Sequence, residues 1–101
     1  IIMCAGWKSK FCLEDAICAG AMTELLLTNN AFETTCDSAK ASLDLWKIAK
    51  PDLLKYVDKT AQRKRLRRLG IDDAVEYCHK PDSSNKIPMF KNNSIIQYSN
   101  Y

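Results

Sequence analysis

The sequence lacks any long apolar run. Its longest, from Met22 to Leu27, is interrupted by Thr23 and Glu24. A helix needs roughly 20 apolar residues to cross a bilayer. We therefore predict a protein without a membrane span.

Histidine is equally scarce, since His79 is the only one in 101 residues. The sequence also has no G-x-S-x-G nucleophile motif, no G-x-x-x-x-G-K phosphate loop and no H-E-x-x-H metal motif. Two acidic pairs, Glu14 with Asp15 and Asp72 with Asp73, fall at predicted helix starts, where the helix dipole favours negative charge. These absences predict a protein that is not an enzyme, with no catalytic residue and no cofactor.

Cysteine, by contrast, is abundant for so short a chain, at positions Cys4, Cys12, Cys18, Cys36 and Cys78. The gaps of 7, 5, 17 and 41 residues lack the close C-x2-C pairs of zinc sites, so we predict no metal site. Such density is typical of disulfides formed in an oxidising compartment. We expect Cys18 or Cys12 to reach Cys36, Cys78 to be tied to the N-terminal segment, and one thiol to be left over.

A secreted, extracellular location follows from the same cysteines. The sequence begins with Ile1 rather than Met, which is typical of a mature chain whose export signal has been removed.

Apolar residues at steps of three and four predict amphipathic helices. The clearest stripe is Phe32, Cys36, Ala39, Leu43 and Trp46, and the rest of the fold is expected to cover it. Further helices are predicted at about 13–27, 52–58, 59–69 and from 72 to about 78, and the first of these carries its apolar face on Leu13, Ile17, Ala21 and Leu25. Gly20, in the middle of that helix, either permits close helix contact or is a tolerated defect.

The predicted fold class is therefore all-α: a small disulfide-stapled bundle of four to five short helices. Residues 1–81 form this domain. Residues 82–101 are rich in Ser and Asn and have no sustained period, so we predict an extended, partly ordered tail. The tail contains an N-x-S sequon at Asn92, a candidate glycosylation site.

The strongest electrostatic feature is a run of basic residues without an acidic one, from position 59 to 70. The rest of the chain has nine basic and twelve acidic residues, so the net charge of +3 comes from this helix. Like charges four residues apart repel each other, and such clustering favours a polyanion or an acidic protein surface as partner. The candidate partner-binding residues are Lys59, Arg63, Lys64, Arg65, Arg67 and Arg68. A heparin-like polyanion is a possible partner, and nucleic acid is not expected.

The layout resembles a family of small salivary proteins of anopheline mosquitoes that includes albicin and anophensin. The resemblance covers residues 4–78 and lies in CAGWKSKFCLEDAICAG, LDLWKIAKPDLLKYV, RKRLRRLG and EYC. It implies a non-enzymatic inhibitor in saliva that binds a host plasma protein complex, foremost the C3 convertase of the alternative complement pathway. Inhibition of contact activation is one alternative. A carrier of a small hydrophobic ligand in a helical cavity is another, and the oligomeric state stays open.

Overall fold

The computed structural model describes residues 1–99 of the chain. It contains five α-helices, with one turn of 3-10 helix before the third and another before the fifth, followed by a two-stranded antiparallel sheet. The helices are α1 (Leu13–Leu27), α2 (Asp37–Ala49), α3 (Leu53–Val57), α4 (Ala61–Leu69) and α5 (Val75–Cys78), the 3-10 turns are Lys50–Asp52 and Asp72–Ala74, and the strands are β1 (Pro88–Lys91) and β2 (Ser94–Gln97). No helix within this range is long and apolar enough to span a bilayer.

Helices α1 and α2 pack closely because small residues line their contact. A Cβ atom placed on Gly20 would lie 2.0 Å from the carbonyl oxygen of Ser42 and 2.7 Å from Cβ of Trp46. Ala16, Ala19 and Gly20 are buried on this face of α1. Of the two interpretations of Gly20, close helix contact is thus confirmed.

The predicted apolar stripes are only partly correct. On α1, Leu25 is 70% exposed, as the small residues rather than the leucines face α2. On the central stretch, α2 begins at Asp37, so Phe32 and Cys36 precede the helix and lie on the surface. The buried core is a small cluster of Ile17, Ala49 and Val57, with Leu45, Leu53 and Tyr56 packed against it.

Helix α4 begins at Ala61, two residues later than predicted, and ends at Leu69 as predicted. The Thr60 hydroxyl accepts a hydrogen bond from the backbone N–H of Arg63 at 3.1 Å and donates one to the carbonyl of Val57 at 2.8 Å. Gly70 ends the helix with a φ of 71°, in the left-handed region that helices often adopt at their C-terminus.

The prediction of an all-α fold is wrong, because the described part of the predicted tail contains a β-hairpin. Met89 pairs with Ile96 and Phe90 with Ile95. Asn92 and Asn93 connect the strands with φ values of 51° and 57°, and Asn adopts this left-handed conformation more readily than most residues. The fold is mixed α and β. The domain boundary at residue 81 stays a prediction. Glycosylation of Asn92, which lies in the hairpin turn, also stays a prediction. Residues 100 and 101 of the predicted tail lie outside the described residues.

The prediction of a disulfide-stapled bundle is also wrong. All five cysteines lie within the described residues, and all are free thiols. Cys18 is exposed on α1, on the side away from the buried small residues, so it does not meet Cys36 across the helix pair. Cys4 and Cys78 are exposed as well. The packing of α1 against α2 is therefore maintained without a covalent link.

Candidate functional site

A tight turn precedes α1, between Trp7 and Lys10. The backbone N–H of Trp7 donates to the carbonyl of Lys10 at 3.1 Å, and the N–H of Lys10 donates to the carbonyl of Trp7 at 3.0 Å. Between them, Lys8 and Ser9 have φ values of 49° and 59°. For residues other than glycine this conformation costs about 1–2 kcal/mol each. The Trp7–Lys10 turn is therefore a strained element, and strain of this kind clusters at ligand-binding sites.

Two neighbours stabilise the start of this turn. Gly6 has a φ of 68°, and a Cβ atom there would lie 2.7 Å from the carbonyl oxygen of Lys10. No larger residue fits at this position without a shift of the backbone. The backbone N–H of Gly6 donates a hydrogen bond of 2.7 Å to the carboxylate of Asp15, in the first turn of α1. Because the acceptor is charged, this bond is stronger than one between neutral groups.

Helix α4 lies against the same turn. The guanidinium of Arg65 is 4.8 Å from the centre of the Trp7 ring, and the ammonium of Lys8 is 5.9 Å from it. Both distances are within the range of cation–π attraction. Just before α4, the Lys59 ammonium lies 3.9 Å from the centre of the Tyr56 ring. The Trp7 ring thus holds Arg65 of α4 beside the turn.

The turn, the start of α1 and α4 enclose a cleft of about 360 Å³. Its charged lining residues are Lys10, Lys59 and Arg65, which are positive, and Glu14, which is negative, giving a net charge of +2. Trp7, Phe11 and Leu13 contribute apolar walls. We call this the cationic cleft. Its volume is within the range of about 300–1,000 Å³ that small-molecule sites occupy.

A second, larger cleft of about 510 Å³ lies on the other side of α4, and its charge is opposite. Its charged lining residues are two cations, Lys55 and Arg63, and four carboxylates, Asp58, Asp72, Asp73 and Glu76. The net charge is therefore −2. An anionic ligand is attracted to the cationic cleft and repelled from this one.

The six predicted partner-binding cations do not form one surface. Arg63 donates to the backbone carbonyl of Asp72 at 3.2 Å and pairs with the Asp72 carboxylate, and Arg67 pairs with Asp58. The hydrogen bond from Arg67, followed by that from Arg63, lowers the pKa of Asp58. Repulsion along α4 is thus offset by carboxylates outside the helix, which the local sequence does not reveal.

The other four cations separate into two pairs. Lys59 and Arg65 line the cationic cleft. Lys64 and Arg68 form no ion pair with any residue in the range 1–99. The role of these six residues in binding a partner stays a prediction. The sequence analysis missed the contribution of Lys10 to the cleft. It also missed the turn, because lysine and serine are not residue types that indicate a positive φ at positions 8 and 9.

Candidate nucleophiles are few near the cleft. Desolvation, together with the carboxylate of Glu14, raises the pKa of the Cys12 thiol, which keeps it protonated near neutral pH. Cys36 has a lowered pKa, because its sulfur accepts hydrogen bonds from the backbone N–H groups of Ala39 and Ser38, but it is absent from the lining of both clefts. The ring of His79 contacts the carbonyl of Val75 at 2.9 Å through Nδ1 and lies at the end of α5. Near neutral pH, Cys12 is thus less reactive than an ordinary thiol, whereas three cations of the cleft can attract an anion.

No group of three or more His, Cys, Asp or Glu residues within the described part could hold a metal ion. The features that define the candidate site are the cations of the cleft and the strained turn.

Comparison with known proteins gives the family. The family model described as 2-phosphosulpholactate phosphatase matches residues 1–93. Relatives that carry the name "Probable 2-phosphosulfolactate phosphatase" include one from Gloeobacter violaceus, which is 33% identical over 83% of this chain and 34% of its own length. A relative from Gloeothece citriformis is 31% identical over 91% of this chain and 39% of its own length. A relative from Caldanaerobacter subterraneus is 33% identical over 91% of this chain and 38% of its own length. No solved structure shows a significant match. The chain belongs to the 2-phosphosulfolactate phosphatase family.

This membership overturns the functional predictions. The family is named for a hydrolase, so the resemblance to mosquito salivary proteins is wrong, and with it the non-enzymatic inhibitor of complement or contact activation. The host protein complex, the heparin-like polyanion and the hydrophobic-ligand carrier are withdrawn too. The physical reason is that the resemblance lay in cysteine layout and one basic helix, which identify no chemistry. The secreted location stays a prediction, although the disulfides that supported it are missing from the described residues.

The chain spans between a third and two fifths of the length of the relatives it matches. The activity of the whole protein is therefore a matter for proposal.

Proposed function

We propose that this chain provides the substrate-anion site of a phosphatase that hydrolyses a small phosphate monoester with further acidic groups. The single observation that carries the proposal is the cationic cleft, which gathers Lys10, Lys59 and Arg65 around about 360 Å³. The substrate in the relatives' names, 2-phosphosulfolactate, carries a sulfonate, a carboxylate and a phosphate ester on one small molecule. A net charge of +2 in the cleft suits such a ligand.

The reaction is the addition of water across a phosphate ester. The P–O bond to the 2-oxygen of sulfolactate breaks, water provides the new P–O bond, and a proton from water ends on the 2-oxygen to give a hydroxyl. Inorganic phosphate is the second product. Charge on the phosphoryl oxygens is the main obstacle, and positioned cations stabilise it in phosphoryl-transfer reactions. In this chain Lys10, Lys59 and Arg65 would have that role.

The cation–π contacts support this role for Arg65. The guanidinium of Arg65 lies 4.8 Å from the centre of the Trp7 ring, and a guanidinium held in this way can form paired hydrogen bonds with an oxyanion. Arg65 is itself partly exposed, so a ligand from solution can reach it.

The test measures both binding and turnover of 2-phosphosulfolactate. Binding to this chain is followed by calorimetry, and phosphate release is measured with Mg²⁺ present, because metal ions commonly assist phosphoryl transfer. The double variant Lys10→Gln with Arg65→Gln removes two positive charges from the cleft. Since a hydrogen bond to a charged group contributes about 1.5–3 kcal/mol, we expect at least a hundredfold loss of affinity.

The matched control is Lys40→Gln with Lys47→Gln, which removes the same charge from the exposed surface of α2. We expect this control to bind the substrate with nearly wild-type affinity. An equal loss in both variants would mean that overall charge, rather than the cleft, attracts the anion. Absence of both binding and turnover in the wild-type protein would contradict the proposed function.

A further inference from the structure

The Asp15 carboxylate has an unusual hydrogen-bond partner for an acidic residue in the first turn of a helix. Asp15 is the third residue of α1, a position from which acidic side chains often bond back to the residue that precedes the helix. That preceding residue is Cys12. Instead, Oδ2 of Asp15 accepts from the backbone N–H of Gly6 at 2.7 Å, nine residues earlier in the chain. Interaction with the helix dipole, which alone would explain an acid here, requires no such bond.

The bond fixes the residue from which the Trp7–Lys10 turn starts. Gly6 approaches the carbonyl of Lys10 so closely that a Cβ would lie 2.7 Å from it. The hydrogen bond to the N–H of Gly6 therefore restrains the start of the turn directly. It restrains the end of the turn through the close contact of Gly6 with the carbonyl of Lys10. Because Lys8 and Ser9 adopt left-handed conformations, the turn needs contacts outside itself to persist.

We propose that Asp15 is a positioning residue, which holds the Trp7–Lys10 turn so that Lys10 faces Lys59 and Arg65 across the cationic cleft. Asp15 does not itself line the cleft, whereas its neighbour Glu14 does. Its effect on an anionic substrate is therefore indirect, through Gly6. This inference rests on the proposed function for its kinetic readout, and on backbone dynamics for a readout that is independent of it.

The test compares Asp15→Ala with Asp15→Asn. The alanine variant removes the acceptor, whereas the amide oxygen of asparagine can accept the same bond from Gly6. We expect Asp15→Ala to raise KM for 2-phosphosulfolactate about tenfold and to lower kcat as well, since a displaced Lys10 both binds the substrate less tightly and stabilises the charge on the phosphoryl oxygens less well. Asp15→Asn should restore KM to within about threefold of wild type.

The matched control is Asp37→Ala, which removes an acidic residue from the first turn of α2. Asp37 is exposed, and its carboxylate lies 3.7 Å from the ammonium of Lys40. We expect its KM to equal that of wild type. An unchanged KM in Asp15→Ala, or an equal effect of Asp37→Ala, would overturn the positioning role.

Amide hydrogen exchange separates this inference from the proposed function. In Asp15→Ala we expect the amides of Gly6 and Lys10 to exchange at least tenfold faster than in wild type, while the amides in the middle of α2 keep their rates. Unchanged exchange at Gly6 and Lys10 would overturn the inference even if the enzyme is active. Faster exchange in a protein that neither binds nor hydrolyses the substrate would leave the turn held by Asp15 and refute only the function proposed for the cleft.

Discussion

Replacing Gly20 with alanine sets two known effects of opposite sign against each other. In the interior of a helix, alanine is favoured over glycine by about 1 kcal/mol, so propensity alone predicts a more stable protein. In the structure, however, the new Cβ would lie 2.0 Å from the carbonyl oxygen of Ser42, whereas ordinary contacts begin at 3.4 Å. The backbones of α1 and α2 would have to separate by the difference between these distances.

The cost of that separation decides the sign. Ser42 meets the new atom with its backbone, which cannot rotate away as the end of a side chain can. Overpacking of this kind typically costs about 1–3 kcal/mol or more. Separation also loosens the bond from Nε1 of Trp46 to Glu24, which is 2.8 Å long. Since the contact at 2.0 Å is with backbone, the upper end of this cost applies, about 3 kcal/mol. Subtracting the gain in propensity of about 1 kcal/mol, we expect Gly20→Ala to lower the free energy of unfolding by about 2 kcal/mol.

Urea denaturation followed by far-ultraviolet circular dichroism measures this change. Gly70→Ala is the control, since a Cβ there meets no atom within 4 Å although φ is 71°. We expect a loss of about 1–2 kcal/mol in the control from backbone conformation alone. A Gly20→Ala protein that is more stable than wild type by about 1 kcal/mol would refute the close contact of the two helices.

Three further predictions concern capping, thiol reactivity and acid stability. Thr60→Ala should lower the free energy of unfolding by about 1–2 kcal/mol in the same denaturation assay, because it removes the cap of α4; a change within error would refute the cap. With limiting iodoacetamide near neutral pH, peptide mass spectrometry should show Cys36 alkylated first and Cys12 last, since the pKa of Cys36 is lowered and that of Cys12 is raised; the reverse order would contradict these shifts. Hydrogen bonds from the side chains of Lys50 and then Trp46 lower the pKa of Glu24. The ionised form of Glu24 therefore stabilises the fold above about pH 4.3. This contribution to stability is lost as pH falls through the lowered pKa. Glu24→Gln should therefore flatten the acid side of the stability curve, and an unchanged curve would contradict the assignment.

Features with a local cause could be predicted from the sequence. Thr60 and Gly70 limit α4 through hydrogen bonds and dihedral angles that involve only a few neighbouring residues. Pro51 lies at the start of a new helical segment, and proline suits the first turn of a helix. In these cases the types of a few neighbouring residues and their order along the chain are enough to predict the local structure.

Features that depend on packing could not be predicted in the same way. The leucines of α1 have the spacing of a buried stripe, yet Leu25 is exposed because Gly20 and the adjacent alanines allow a closer approach of α2. The hairpin is a related case. Asn92 and Asn93 are a turn signal of moderate strength, and only the pairing of Met89 with Ile96 and of Phe90 with Ile95 distinguishes a hairpin from an extended tail.

The cationic cleft shows why the functional prediction failed at a particular step. Summed along the sequence, the charges of α4 suggest one basic surface for a large anionic partner. In three dimensions, Arg63 and Arg67 are neutralised by Asp58 and Asp72, while Lys59 and Arg65 meet Lys10, about fifty residues away in sequence. The six charges are therefore divided into separate groups along α4. Two of them, Lys59 and Arg65, join Lys10 around a space that is large enough only for a small molecule, and the proposed function rests on this arrangement.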